Sequence, residues 1–232
     1  MHKFQANEAN RLLLSLPHAE YGRLADQLEM VSLTRGQFLS DFGQAPSYVY
    51  FPTDAMLSIW AIVDGNKEFA VGLVGREGLG NSISAFDSQG SHLRTMVQCP
   101  GQAMRMKMKD FVVAFNTSEI LRQAVMQYAS RLTLHIAQNA GCNNFHVADQ
   151  RLARWLLLIR ERLSSNSFFL THETLGKLLG CRRVGITNAA SLLKERKLID
   201  YSRGLITIID IAGLQKAACS CYRALPDGSH FC

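Results

Sequence analysis

The sequence predicts an α+β protein: a β-roll in its first half, then a long helix, then a winged helix-turn-helix. Three observations predict this. Short apolar stretches separated by turn residues run from Val31 to Met108, the apolar period turns helical from Ser118, and the net positive charge collects in the last third.

Of the 232 residues, 47% are hydrophobic and 19% charged, so the chain can bury a core and is not disordered by composition. Residues 1–148 carry 12 Lys+Arg against 12 Asp+Glu, whereas residues 149–223 carry 13 against 6, a net of +7. Asp227 in the tail brings the chain to +6. Basicity confined to one module suits a polyanionic partner. No apolar run reaches the ~18 residues of a membrane span. The N-terminal stretch MHKFQANEANRLLLSLPHAE is broken by polar residues and Pro17, unlike a signal peptide. Six cysteines (Cys99, Cys142, Cys181, Cys219, Cys221, Cys232) follow no disulfide-scaffold spacing, and a reducing cytoplasm is the expected setting.

Leu12, Leu13 and Leu16, then Leu24 and Leu28, read as two short capping helices around Pro17. The stretches FLSDFG, YVYFP, LSIWAIVDGN, FAVGLVGREG, TMVQCPG and AMRMKM read as strands. Thr95, Val97 and Cys99 alternate with period two, as do Met104, Met106 and Met108. Asp64-Gly65-Asn66 and Pro100-Gly101 supply turns. Strands at this spacing make a sandwich or barrel, and a β-roll is expected.

From Ser118 one stripe follows helical spacing: Leu121, Val125, Tyr128, Leu132, Ile136 and Asn139. Uninterrupted to Gly141, this helix has about 24 residues and a length of about 36 Å. The stripe is assigned to a parallel seam with a twin helix, Asn139 fixing register, with packing on the chain's own β-roll as the alternative. Residues 142–148 then form a hinge. DQRLARWLLLIRERL is an amphipathic helix with Leu152, Trp155, Leu156 and Ile159 inward, ending at Ser164–Ser167. The expected domains are 1–116 (sensory β-roll with capping helices), 117–148 (dimerisation helix and hinge) and 149–232 (winged helix-turn-helix with tail).

The most informative stretch is Leu170 to Asp210. Thr171 is placed to cap a short helix that buries Leu175, Leu178 and Leu179. Gly180 stands where a tight helix–helix turn needs positive φ. Cys181 is small enough to plug the angle between the helices. A second helix, over about 182–196, hides Ile186, Ala189, Ala190, Leu192 and Leu193. It exposes Arg182, Arg183, Val184, Gly185, Thr187, Asn188 and Ser191 as candidate DNA contacts. Arg183 can bond a guanine edge in bidentate fashion and Asn188 an adenine, while Arg182, Thr187 and Ser191 suit phosphates. Thr171 joins them at the first helix. ERKLIDYSRGLITII reads as strand, turn, strand, a wing whose tip carries Ser202 and Arg203 as further contacts.

QRLARWLLLIRERL, the stretch Leu170–Asp210 and AACSCYR together resemble the Crp/Fnr (cyclic-AMP receptor protein/fumarate-nitrate regulator) family of bacterial transcription regulators. The β pattern and the long helix extend the resemblance over about residues 10–223. It implies a cyclic-nucleotide-binding-like β-roll, a dimerisation helix and a winged-helix reader of double-stranded DNA, acting as a homodimer. RNA polymerase is the implied partner if the protein activates. The family's base-contacting Arg is matched by Arg183. Val184 replaces its Glu and Asn188 its next Arg, so the operator sequence does not carry over.

The resemblance also places an effector pocket at Gly80, Asn81, Ser82, Arg94 and Thr95. Cyclic-AMP-binding members use a Gly-Glu-Leu turn for the ribose and an Arg-Ser pair for the phosphate. Here those places hold Gly80-Asn81-Ser82 and Ser91-His92, with Arg94 out of phase. A buried cyclic phosphate would lack its cation. Cyclic AMP is not the expected effector, and the cofactor is unknown.

No cysteine precedes Cys99, against an iron–sulfur sensor of the family's N-terminal type. Cys219 and Cys221, one residue apart on a helix, would point about 200° apart. With Cys232 they read as packing or surface cysteines, His135 and His146 read as polar fillers, and no metal site is expected. Glu68, Glu77 and Asp87 lack a nucleophile–base pair, and Gly75–Gly80 opens no helix to cradle a phosphate, so no catalytic site is expected. The alternative function is a ligand-sensing β-roll whose C-terminal domain binds protein. A cupin-type enzyme would need a His/Glu metal cluster, and residues 31–108 hold only His92.

Overall fold

The computed structural model describes residues 10–63, 67–86 and 90–223. The Asp64-Gly65-Asn66 turn, Asp87 and Cys232 lie outside the described residues. The chain divides into two compact units, Met1–Ile62 with Gly72–Thr133 and Val63–Val71 with Leu134–Cys232.

The two short helices form as expected, α1 (Arg11–Leu14) and α2 (His18–Ala25), with Pro17 capping the second. Buried Asn10 fastens them to the roll. Its oxygen accepts from the Leu13 N–H at 3.2 Å, and its amide donates to the Pro52 and Gly78 carbonyls at 3.0 and 2.8 Å. Seven strands follow: β1 (Glu29–Leu33), β2 (Phe38–Ser40), β3 (Tyr48–Pro52), β4 (Met56–Val63), β5 (Lys67–Val74), β6 (Arg94–Cys99) and β7 (Gly101–Lys107). They form two sheets, ordered β1-β7-β3 and β2-β6-β4-β5. Val49, Phe51, Leu57, Val97, Ala103 and Met106 form their core. Thr95, Val97 and Cys99 are all buried, as their alternation predicts. The methionine alternation ends early, because Met108 opens a helix, α3 (Met108–Thr117), that the sequence reading did not assign.

The long helix is α4 (Glu119–Phe145), 27 residues. It runs through Gly141, since one glycine costs a helix only about 1 kcal/mol. The expected hinge at 142–148 shrinks to His146 and Val147. The seam assignment is corrected here. Leu121, Val125, Tyr128 and Leu132 are at most 4% exposed within this single chain, so they are its own core. Tyr128 lies so close over the Gly75–Gly80 turn that a Cβ on Gly78 would stand 2.3 Å from its ring. Asn139 is spent inside the chain too: it donates to the Val71 carbonyl at 3.2 Å and accepts from Arg154 at 2.7 Å. Ile136 is half-buried. A stripe that packs inward cannot also face a twin.

The C-terminal part comprises α5 (Ala148–Leu163), β8 (Ser167–Phe169), α6 (His172–Leu179), α7 (Arg183–Glu195), β9 (Ile199–Ser202), β10 (Leu205–Ile208) and α8 (Ile211–Ala217). Its sheet has the order β8-β10-β9, and β8 was not anticipated. Helix α5 packs against α7 and α8 and buries Leu152, Trp155, Leu156 and Ile159 as expected, but its burial extends well beyond that one face, which makes it the axis of the domain. Even Arg151 and Arg162 are buried there. Arg151 donates to the Leu179 carbonyl and to Asn143, and Arg162 to the Leu158 carbonyl at 3.0 Å.

Candidate nucleic-acid interface

Helices α6 and α7 are joined by a turn that two glycines make possible. Thr171 caps α6, its hydroxyl accepting from the Thr174 N–H at 3.1 Å. Gly180 ends the helix at φ +59°, the left-handed geometry expected of it. The Cys181 N–H then returns to the Gly176 carbonyl at 2.9 Å, and a Cβ on Gly176 would stand 2.9 Å from the Cys181 carbonyl oxygen. The requirement at Gly176 was missed; a second glycine four residues before Gly180 is its only sequence trace. Cys181 is half-exposed rather than a plug.

Helix α7 buries Ile186, Ala189, Ala190 and Leu193 as predicted, but Leu192 is exposed. Arg182, Arg183, Val184, Thr187, Asn188 and Ser191 stand on the exposed face, with Gly185 half-buried. Arg182 and Arg183 sit at the helix start, with no acidic residue in the first turn. Free backbone N–H groups and two exposed cationic residues therefore share this end of the helix, which favours an anion.

Behind this face stands His172, which the sequence reading did not single out. Its ring stacks on Tyr201, centroids 4.2 Å apart, and its Nδ1 lies 3.0 Å from the Thr187 hydroxyl. Thr187 donates its own proton to the Arg183 carbonyl at 3.1 Å. It must therefore accept from Nδ1–H, which leaves Nε2 the bare nitrogen, buried without a partner. Burial, and next the Arg183 charge, hold the His172 pKa below its ordinary 6.5. The unfolded chain thus binds this proton more readily than the folded one. Stability from this contact is complete above about pH 6.5 and is lost as the pH falls from there toward the lower folded value. The denaturant midpoint should fall between pH 7.5 and 5.5, and fall less in His172→Gln. Equal declines would discount this imidazole.

The wing is a β9–β10 hairpin with Ser202 paired to Leu205. Arg203 at φ +49° and Gly204 at φ +89° are its two central residues, a type I′ turn. Gly204 is doubly required, because a Cβ there would meet the Phe169 ring at 2.6 Å. Ser202 and Arg203 are exposed at the tip. Lys194 ties α7 to the wing through Asp200 at 2.7 Å.

Of the expected effector residues, Asn81, Ser82 and Thr95 come together in the roll with Ile59, Ser84 and Leu93. The space between them is about 10 Å³. Asn81, at φ +65°, has both amide protons engaged: it donates to the Leu39 and Tyr48 carbonyls at 3.3 and 2.9 Å and accepts from Ser40 at 3.0 Å. Gly80 pairs with the Tyr50 backbone instead of lining the space. Arg94 is elsewhere, bonded to Asp41 at 2.8 Å with the Phe38 and Phe42 ring centroids 4.6 Å away. That guanidinium is the main cause holding the Asp41 carboxyl below its usual range. Glu77, considered above for chemistry, accepts from the Gly75 N–H at 3.0 Å and holds its own turn. Among the described residues, one group of side chains is close enough to share a metal ion: Cys142, His146, Cys219 and Cys221.

Residues 150–217 match the family model of the Crp-like helix-turn-helix domain. The chain carries a Crp-like helix-turn-helix domain. That domain spans α5 to α8, so the two glycines, the α7 face and the wing all fall inside it. Over about four-fifths of its length the chain has the fold of solved Crp/Fnr regulators. FixK2 from Bradyrhizobium japonicum superposes with a TM-score of 0.70 at 12% identity, covering 83% of this chain and 98% of that one. A CRP/FNR-family transcriptional regulator from Thermus thermophilus gives 0.67 at 18%, covering 82% and 98%. The cyclic-di-GMP-responsive regulator CLP from Xanthomonas campestris gives 0.66 at 15%, covering 83% and 99%. No curated protein sequence matches this chain. Among the described residues, no helix is long and apolar enough to cross a membrane.

Proposed function

We propose that the chain is a sequence-specific DNA-binding transcription regulator of the Crp/Fnr type, acting as a homodimer. The observation that carries this is the exposed face of α7 in the Crp-like domain. Arg182, Arg183, Thr187, Asn188 and Ser191 project from it, beside a wing with Arg203 at its tip. Base readers and phosphate binders thus share one surface in the basic third of the chain. RNA polymerase is the further partner where the regulator activates. The test is a salt titration of binding to random and selected duplexes. Affinity should fall steeply with salt on both, and the selected site should hold an advantage of about 10³-fold or more. Salt-independent binding, or none, would point to a protein partner for the C-terminal domain.

The dimer seam is placed on the face of α4 opposite the buried stripe. Ile120, Gln123, Gln127, Ser130, Leu134 and Ala137 are exposed there, spaced alternately three and four. That is the 3.5-residue period of two helices supercoiled together, with small residues allowing close approach. A second copy of α4 is the occupant that such a period fits.

Cyclic AMP is not the effector in this reading. The half-open space of about 10 Å³ between these residues is the size for one water, and nucleotide-sized ligands need about 300 Å³ or more. Asn81 stands where a ribose-binding carboxylate would be, and both its amide protons are engaged within the chain.

A further inference from the structure

Away from the DNA-reading face, the C-terminal unit gathers four ligand-bearing side chains from two distant stretches of chain. Cys142 and His146 are one helical turn apart at the end of α4, where the His146 N–H reaches the Cys142 carbonyl at 3.2 Å. Cys219 and Cys221 follow α8. Sequence reasoning set these two on a helix, about 200° apart. That expectation is corrected, because α8 ends at Ala217, Cys219 is extended and Ser220–Tyr222 is a tight 3₁₀ turn. The turn brings both sulfurs to one side.

The four ligand atoms all lie within 4.8 Å of one another. Cys142 Sγ and Cys219 Sγ are 3.5 Å apart, and Cys221 Sγ is 3.6 Å from His146 Nδ1. A tetrahedral zinc at about 2.3 Å from sulfur and 2.0 Å from nitrogen sets its ligand atoms about 3.5–3.8 Å apart. The pocket is thus nearly at coordination spacing. A [4Fe–4S] cluster hangs each thiolate on a separate iron and a [2Fe–2S] cluster divides its four ligands between two irons, and either calls for a wider spread than this. The three cysteines are 1%, 5% and 6% exposed, leaving no open position for a substrate.

A second observation points to negative charge at the same place. Arg154 is 0% exposed, and only its bond to Asn139 is made; Nε and Nη2 are buried without partners. The ionisable groups near enough to act on its charge are Cys142, Cys219 and Cys221, together with Arg162. A buried guanidinium needs a matching anion. Three thiolates and a neutral imidazole on a dication leave one net negative charge, which Arg154 cancels. Gln138 Nε2, 2.9 Å from Cys221 Sγ, donates to the ligand from outside, as groups around metal thiolates do.

We propose that Cys142, His146, Cys219 and Cys221 bind one zinc ion, in a closed structural site that clamps the end of the long helix to the segment following α8. Borderline-soft zinc is the divalent ion that a tetrahedral three-sulfur, one-imidazole set selects. The site is independent of the α7 face, and its occupancy is read without DNA.

The full chain, purified without chelator or added metal, should contain one zinc per chain by mass spectrometry of its metals. Stripped under reducing conditions and titrated with Co²⁺, it should develop thiolate-to-cobalt charge-transfer bands and the visible bands of a tetrahedral ion. Cys219→Ser and Cys142→Ser should lose the ion; Cys99→Ser and Cys181→Ser should keep it. Circular dichroism shows which variants fold, and the cobalt titration of the unmutated chain needs no variant at all. A folded, reduced chain that gives no thiolate–cobalt band overturns the proposal. So does a folded Cys219→Ser chain that retains its full zinc.

Discussion

Arg183→Ala should weaken binding to the specific operator by about 1–3 kcal/mol per half-site and relax preference at one symmetric base-pair position. Arg183 is the first residue of α7 and exposed, at the end of the helix proposed to enter a major groove. A guanidinium there offers two parallel donors to one guanine edge. Two such helices related by a dimer two-fold should read a near-palindrome whose half-sites are about 34 Å apart. Arg203 is different: it sits on a two-residue turn at the wing tip, placed for the backbone or minor groove. Arg203→Ala should weaken every sequence alike and lower the salt slope by about one unit per site. If Arg183→Ala weakened specific and random DNA equally, Arg183 would be a phosphate contact and the helix would dock otherwise. No change in affinity from either substitution at physiological salt would remove the DNA-binding reading.

The second large effect separates the two faces of α4. Leu132 is 1% exposed and Leu134 49% exposed, two positions apart on one helix. Truncating a leucine as buried as Leu132 costs about 2–5 kcal/mol, and an aspartate adds the burial of an unpaired charge. Leu132→Asp should therefore unfold the N-terminal unit, seen as lost cooperativity in thermal melting. Leu134→Asp should melt like the parent at the level of the chain, yet sediment as a monomer, because its carboxylate lies in the proposed seam. A Leu134→Asp dimer of unchanged mass would discard that seam. A stable, folded Leu132→Asp would contradict the inward packing of the stripe.

Much of the DNA-reading face was legible because its determinants are local. The Thr171 cap, the positive φ at Gly180, the inward Ile186–Ala189–Ala190–Leu193 set and the Arg203-Gly204 turn each depend on residues within a turn or two. Gly176 and His172 escaped notice for the opposite reason. His172 matters because Thr187 and Tyr201 arrive beside it from later in the chain, and Gly176 because the turn at Gly180 folds the Cys181 carbonyl to within 2.9 Å of where its Cβ would stand, a close approach that spacing alone does not show. The effector residues were named by position, but their hydrogen bonds run to Leu39, Ser40, Asp41 and Tyr48, between 33 and 53 residues away.

The sequence by itself determined the succession of β-roll, long helix and helix-turn-helix with its wing, though not α3 or β8, and the concentration of positive charge in residues 149–223. These follow from periodicity, turn chemistry and composition, which are properties of neighbouring residues. Only the tertiary structure decided which face of α4 turns inward, how little space is left between Asn81, Ser82 and Thr95, and that Cys142 meets Cys219 across 77 positions. An apolar stripe at helical spacing states that something must cover it, not what. The covering surface comes from distant residues, and the sulfurs meet only because α8 stops at Ala217 and the chain turns tightly after it.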